Sequence, residues 1–212
     1  SIGNKFQREV DLESTGVSPI EFTRYHNSLG HVSDSFSNYW THTYDRYVEI
    51  PVDPRTDPVK VARPDGKKIN FTWDGSNYQA YPGIRSALEQ TADGWRYTDE
   101  DLTIENFDAD GFLVDITDIS GRTQAATYNS SNQLIRIVSN MGGTLDFTYD
   151  RSERLSAITD QAGRTWTYRY EILGRLAYVD NPDGTTREYH YEDLRHAYAL
   201  TGITTENGQR FS

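Results

Sequence analysis

Apolar and polar residues alternate along most of this chain in short runs, the period-two pattern of strands with one buried face. Residues 5–10 and 20–25 alternate in this way, with a turn at 14–16 and Pro19 between them. Residues 27–30 close that pair, 31–38 read as a polar loop, and 39–44 and 46–50 read as strands broken at Asp45. The stretch 51–58 holds three prolines and no period, so it reads as a loop. At Pro64-Asp65-Gly66, proline presets φ and glycine accepts positive φ, which predicts a turn joining strand 59–62 to strand 68–73. Asp74-Gly75 and Asp93-Gly94 turn the chain again. Residues 84–91, with Ser86, Ala87, Leu88, Glu89 and Gln90, carry helical preference and predict a short helix or an irregular link.

From Phe107 onward the pattern repeats. Phe107, Tyr128, Tyr149, Tyr170 and Tyr191 stand 21 residues apart. Leu113, Leu134, Leu155 and Leu176 keep the same step, as do Gly121, Gly142, Gly163 and Gly184, and Thr123, Thr144, Thr165 and Thr186. A period of this size marks a repeat architecture, in which each unit buries its core by stacking on its neighbours. Within residues 149–170, one strand (154–159), a turn at Gln161-Ala162-Gly163 and a return strand (164–170) make a hairpin. Trp166, Tyr168 and Tyr170 share a face of the return strand; Thr165, Thr167 and Arg169 take the other. The equivalent positions are Leu145, Phe147 and Tyr149, then Arg187, Tyr189 and Tyr191, so stacked units form aromatic columns. Cross-strand pairs of this kind contribute about 0.2–1 kcal/mol each over Ala–Ala. After Tyr191 the register slips by about three residues around 193–198, and Gly208 begins a further hairpin. The expected fold is all-β: an antiparallel hairpin array of about 21 residues per repeat at 106–212, led by a β-rich module at 1–105.

Charge and composition narrow the function. The 212 residues carry 21 basic and 32 acidic side chains, a net −11, which argues against duplex nucleic acid as a partner. With no cysteine there is no disulfide framework, no thiolate metal site and no cysteine nucleophile. Absence of cysteine also fits a protein that crosses compartments. No apolar run reaches the roughly 18 residues of a membrane span, and the start (Ser1, Ile2, Gly3) lacks a signal-peptide pattern.

Several residues then acquire a family likeness. Tyr149-Asp150, Arg154-Leu155, Thr159-Asp160 and the run from Gly163 to Tyr170 resemble the YD repeat of Rhs proteins. So do Gly174-Arg175-Leu176, Val179-Asp180, Asn181-Pro182-Asp183-Gly184 and Tyr189-His190-Tyr191. Residues 3–6, 21–30 and Thr43-Tyr44-Asp45 are similar to the module that precedes the repeats in bacterial Rhs polymorphic toxins. The resemblance implies a sheet that spirals into a hollow shell enclosing a C-terminal toxin. It also implies delivery by type VI secretion, a Tc-type complex or a wall-associated route. These residues contain no delivery domain, toxin or self-cleaving segment, so the parent's activity would lie elsewhere. The expected partners are the toxin domain, the rest of the shell, and the secretion machinery or its adaptor. The expected location is secreted or delivered from the cell surface.

Candidate chemistry is sparse. Residues 106–111 look like the start of a calcium loop but lack the leading aspartate, and position 12 falls on Thr117, so we read a turn. His26, His31, His42, His190 and His196 show no ligand spacing; His26 and His42 read as packed or exposed structural residues and His190 as solvated. Asp65, Asp74, Asp93 and Asp183 fall in turns, where they bond local backbone. No nucleophile elbow or phosphate-binding glycine loop occurs, so we expect no catalytic, cofactor-binding or metal residue, no cofactor, and no enzyme activity. Two readings follow: a non-catalytic shell segment, or a carbohydrate-binding repeat module whose aromatic face stacks on sugars. Unpaired strand edges also predict self-association.

Overall fold

The computed structural model describes residues 4–14, 18–30, 35–36 and 39–212. Residues 15 and 16 of the predicted turn at 14–16, much of the polar loop at 31–38 with His31, and the start at 1–3 lie outside the described residues. Among the described residues every regular element is a strand.

Three strands form a small antiparallel sheet: β1 (Phe6–Leu12), β2 (Phe22–Asn27) and β3 (Trp40–His42). The other seventeen form one long antiparallel ladder. Its first part is β4 (Tyr47–Glu49), β5 (Val59–Ala62), β6 (Lys68–Trp73), β7 (Tyr78–Ala80), β8 (Ala87–Gln90), β9 (Gly94–Thr98) and β10 (Ile104–Asp108). The repeats follow as β11 (Leu113–Thr117), β12 (Thr123–Tyr128), β13 (Leu134–Ser139), β14 (Thr144–Tyr149) and β15 (Leu155–Asp160). The ladder ends in β16 (Thr165–Tyr170), β17 (Leu176–Asp180), β18 (Thr186–His190), β19 (Gly202–Thr204) and β20 (Arg210–Phe211).

Where a short helix or an irregular link was expected at 84–91, residues Ala87–Gln90 form a strand. Leu88 is buried and pairs with Tyr97, while its neighbours Ala87 and Glu89 stay exposed. Ladder hydrogen bonds and one buried leucine outweigh a helix preference worth a few tenths of a kcal/mol per residue. The sheet is continuous at residue 105: β9 pairs with β10, and β10 with β11.

The ladder closes on itself in its middle. Tyr47 of β4 bridges Phe112, and the Val48 N–H donates to the Gly111 carbonyl at 2.9 Å. A Cβ on Gly111 would stand 2.1 Å from the Val48 oxygen, so only glycine permits this approach. Strands β4–β10 thus form a ring packed around Val59, Val61, Phe71, Leu88, Trp95, Tyr97 and Phe107. Strands β11–β20 run on past the closure, which makes the sheet a coil.

The repeat has a mechanical basis. Five-residue turns, with N–H(i)→O(i+4) and N–H(i+3)→O(i) bonds, begin at 108, 118, 129, 139, 150, 160, 171 and 181. Steps of 10 and 11 therefore alternate to give 21. The fourth turn residue has positive φ in every case: Gly111, Gly121, Asn132, Gly142, Glu153, Gly163, Gly174 and Gly184. The odd residue is a β-bulge. Tyr149 pairs with Leu155 and Thr148 with Ala157, leaving Ser156 extra; Val114, Ile135 and Ala177 are its counterparts. The bulge reverses side-chain parity, so residues three apart point to the same buried face: Leu113 and Ile116, Leu134 and Ile137, Leu155 and Ile158, Leu176 and Val179.

Candidate functional site

The chain's buried chemistry lies where the small sheet meets the inner face of the repeats. Three repeat tyrosines reach back to the bulge of the preceding unit. Tyr149, Tyr170 and Tyr191 donate their hydroxyls to the carbonyls of Leu134, Leu155 and Leu176 at 2.9, 2.6 and 2.9 Å. Burial pushes all three phenols well above their ordinary pKa. Arg154 lies over the Tyr170 ring and Arg175 over Tyr191, at 4.3 and 4.8 Å, each also paired with the turn carboxylate four residues before it, Asp150 or Glu171.

On this face the N-terminal sheet docks through rings. Phe22 meets Phe147 edge-on at 5.9 Å, Phe36 meets Tyr168 at 5.0 Å, and Trp40 meets Tyr189 at 4.9 Å. Such pairs contribute about 0.5–1.5 kcal/mol each beyond the area they bury. Polar bonds fix the register. Trp40 Nε1 donates to the Tyr191 hydroxyl at 2.8 Å, and Tyr44 to Gln124 Oε1 at 2.7 Å. The bulged Leu155 N–H, spare in its own ladder, donates to the Ser35 carbonyl at 2.6 Å.

At the centre sits Arg24, which is fully buried. Its guanidinium donates to both Asp11 oxygens (2.6 and 2.8 Å) and to the Tyr189 hydroxyl (2.9 Å). Trp40, Tyr168 and Tyr189 surround it at 5.2–5.6 Å. Tyr168 donates to Asp11 Oδ2 at 2.8 Å. Burial works against the charge of Arg24, but Asp11 and the two phenols outweigh it and raise its pKa well above the ordinary value. Burial beside Asp11 raises Tyr168, and burial raises Tyr189 to about 12. At the edge of the joint, Glu9 pairs with Arg187, which also holds Glu206.

A second buried ion cluster lies inside the ring. Glu105 of β10, with no exposed surface, is held across the closure by Arg46 and Arg63 at the paired ends of β4 and β5; its Oε2 is 2.7 Å from Arg63 Nη1. Burial opposes ionisation of Glu105, but the two arginines hold its carboxyl below the usual range.

The residues weighed for chemistry fall elsewhere. Asp108 Oδ1 accepts the N–H groups of Asp110 and Phe112, which makes the calcium-like stretch a hairpin turn. Asp65, Asp74 and Asp183 accept backbone N–H groups in their turns. His190 is partly buried rather than solvated, because β19 covers it and Thr204 Oγ1 lies 2.7 Å from Nε2. His26 and His42 are buried in the N-terminal sheet. A cavity of about 660 Å³ opens at the coil's seam, lined in part by Asp45, Phe112, Tyr128, Gln133 and Tyr149. Among the described residues no group of three or more His, Asp or Glu could hold a metal, and no helix is long and apolar enough to cross a membrane. That says nothing of a barrel. Sequence reading missed the Arg24 and Glu105 clusters, since neither partner set is close in sequence; buried apolar neighbours on alternating positions were the available hint.

Residues 1–71 match the profile of a domain of unknown function (DUF6531), and residues 149–186 match the RHS Repeat. No curated protein matches. Among solved structures the chain is similar to a TcdB2-TccC3-Cdc42 complex, at 14% identity over 94% of this chain, TM-score 0.39. A TcdB2-TccC3-TEV structure matches at 13% over 93%, TM-score 0.39, and a Photorhabdus luminescens Tc holotoxin pore at 12% over 94%, TM-score 0.40. The chain spans 12% of the length of each of those chains, so its fold rests on its own strand pairings. With the 21-residue unit legible from Phe107 to Tyr191 and its third and fourth copies matched by the RHS Repeat, this part of the chain carries repeats of the Rhs/YD type.

Proposed function

We propose that this chain is a non-catalytic wall segment at the starting end of an Rhs-type shell, which encloses a C-terminal toxin until delivery to a competitor or host cell. The carrying observation is the coil: the sheet closes at Tyr47–Phe112, continues past the closure, and has its inner face stoppered by its own N-terminal sheet. A wall that starts this way has a sealed end and a growing edge. That edge is β20, paired on one side to β19 among the described residues, where further sheet or a second copy would add. The remaining partners in this reading are the toxin domain and the secretion machinery or its adaptor, with the parent secreted by a route outside these residues. The division at 105/106 is proposed as one of sequence regularity within a shared sheet. Carbohydrate binding has less support: Trp40, Trp95 and Trp166 are buried, and the aromatic columns are consumed in packing.

The test is native mass spectrometry of the full-length parent with limited proteolysis. A cleaved C-terminal piece retained inside a protease-resistant shell that includes residues 4–212 is the expected result. Ready digestion of this segment with no retained fragment overturns it, and glycan-array binding would then support the sugar reading.

A further inference from the structure

The joint between the N-terminal sheet and the repeats holds two histidines that its docking does not use as charges. His26 on β2 stands edge-on to Trp40 at 5.3 Å and Tyr39 at 6.4 Å. Its ring nitrogens face the backbone of Lys5 on one side and Tyr198 on the other, without a hydrogen bond of normal geometry. His42 on β3 lies against Phe22 (5.0 Å), Phe36 (5.7 Å) and Phe147 (6.0 Å) of the repeats. Its Nδ1 accepts the Tyr44 N–H at 3.1 Å, which fixes the neutral ring with Nε2 toward Asp45 Oδ1 at 3.1 Å. Both imidazoles sit in the layer that separates the sheet from the repeats.

Every charged group facing that layer bears on protonation. Lys5 repels a charge on His26, while Asp45 favours one on His42. Asp11 is committed to Arg24 and Tyr168, and Glu9 to Arg187. Burial, partly offset by backbone neighbours, lowers His26 to about 4; burial lowers His42 too, with Asp45 opposing. The sign follows: the free histidine binds a proton below about 6.5, the docked one does not, so docking is fully favoured above that pH and weakens below it. The ring β4–β10 contains no histidine. In the repeats, His190 lies 3.9 Å from Glu188, and exposed His196 sits in a loop.

We propose that this joint is an acid-released closure, in which protonation of His26 and His42 undocks the N-terminal sheet from the repeats while the ring β4–β10 stays folded. This goes beyond the shell reading and holds whatever the wall encloses. From the lowering of His26 alone, opening is about 20-fold more favourable at pH 5 than at pH 7.

Hydrogen exchange with mass spectrometry on the full chain, corrected for the intrinsic pH dependence of exchange, tests it. Peptides over 20–27 and 39–44 are expected to lose about 20-fold protection or more between pH 7 and pH 5, while 59–73 keeps theirs. Equal loss in both regions, or none in either, overturns the proposal. The variant with His26→Gln and His42→Gln is expected to lose most of this pH dependence, and retention of the full dependence overturns it. Should the double variant not fold, His26→Gln alone, beside the loop at 192–199, is expected to remove about 20-fold of the effect.

Discussion

The ring and the repeats are built from the same antiparallel ladder and stabilised in different ways. The ring, β4–β10, has irregular hairpins and satisfies its core internally, with an ion triad, Glu105 between Arg46 and Arg63, across the closure. The repeats, β11–β18, have near-identical hairpins whose inner face is completed by the N-terminal sheet. A short coil can turn tightly enough to fill itself; a sheet that must keep extending repeats one bulge and two turns, and borrows its cover. The difference teaches that regularity serves growth, and irregularity serves closure.

The largest expected break is at the triad. Glu105→Ala leaves two partly buried arginines without the carboxylate they share, at a cost of about 3–5 kcal/mol. Hydrogen exchange along a urea titration should show ring peptides of this variant losing protection before the repeats. Because the folded pKa of Glu105 is lowered, its contribution is present above the ordinary carboxylate pKa and lost as pH falls below it. The variant's stability should therefore vary less with pH in acid than that of the parent chain, as measured by urea midpoints.

A smaller effect separates the columns. Tyr170→Phe removes the bond that satisfies the Leu155 carbonyl, at a cost of about 1 kcal/mol with local loss of exchange protection around 155–158. Phe107, which occupies the same column in the ring without a hydroxyl, sets the comparison: Phe107→Tyr should give no matching gain in thermal stability.

The smallest effect sharpens the turns. Glu153 holds φ 63°, where Gly163 holds φ 78° ten residues on. Glu153→Gly should stabilise by roughly 0.5–1 kcal/mol through relief of left-handed backbone, seen as a raised urea midpoint. A lower midpoint would mean that the turn's side chain outweighs its backbone.

The hairpins were legible in the sequence because their determinants are local. Tyrosine, leucine, glycine and threonine recur every 21 residues, and Pro64-Asp65-Gly66 marks a turn the structure keeps, with Gly66 at φ 82°. The bulge was in plain view as Leu155 and Ile158, yet a three-residue spacing does not read as strand until Ser156 is seen to lack a partner. The strand at Ala87–Gln90 was hidden because its preference comes from Tyr97 and Trp95 across the ladder. Likewise, nothing near Arg24 in sequence announces Tyr168 and Tyr189.

Sequence alone determined the all-β class, the repeat length, the turn positions and the face of each repeat aromatic, since turn chemistry and side-chain alternation act over a few residues. Tertiary structure decided where the coil closes, that the N-terminal sheet stoppers the repeats, and which charges and histidines are buried between them. Those features depend on contacts between residues as far apart as Arg24 and Tyr189, and the curvature that brings them together is the summed twist of many strands, which no single stretch encodes.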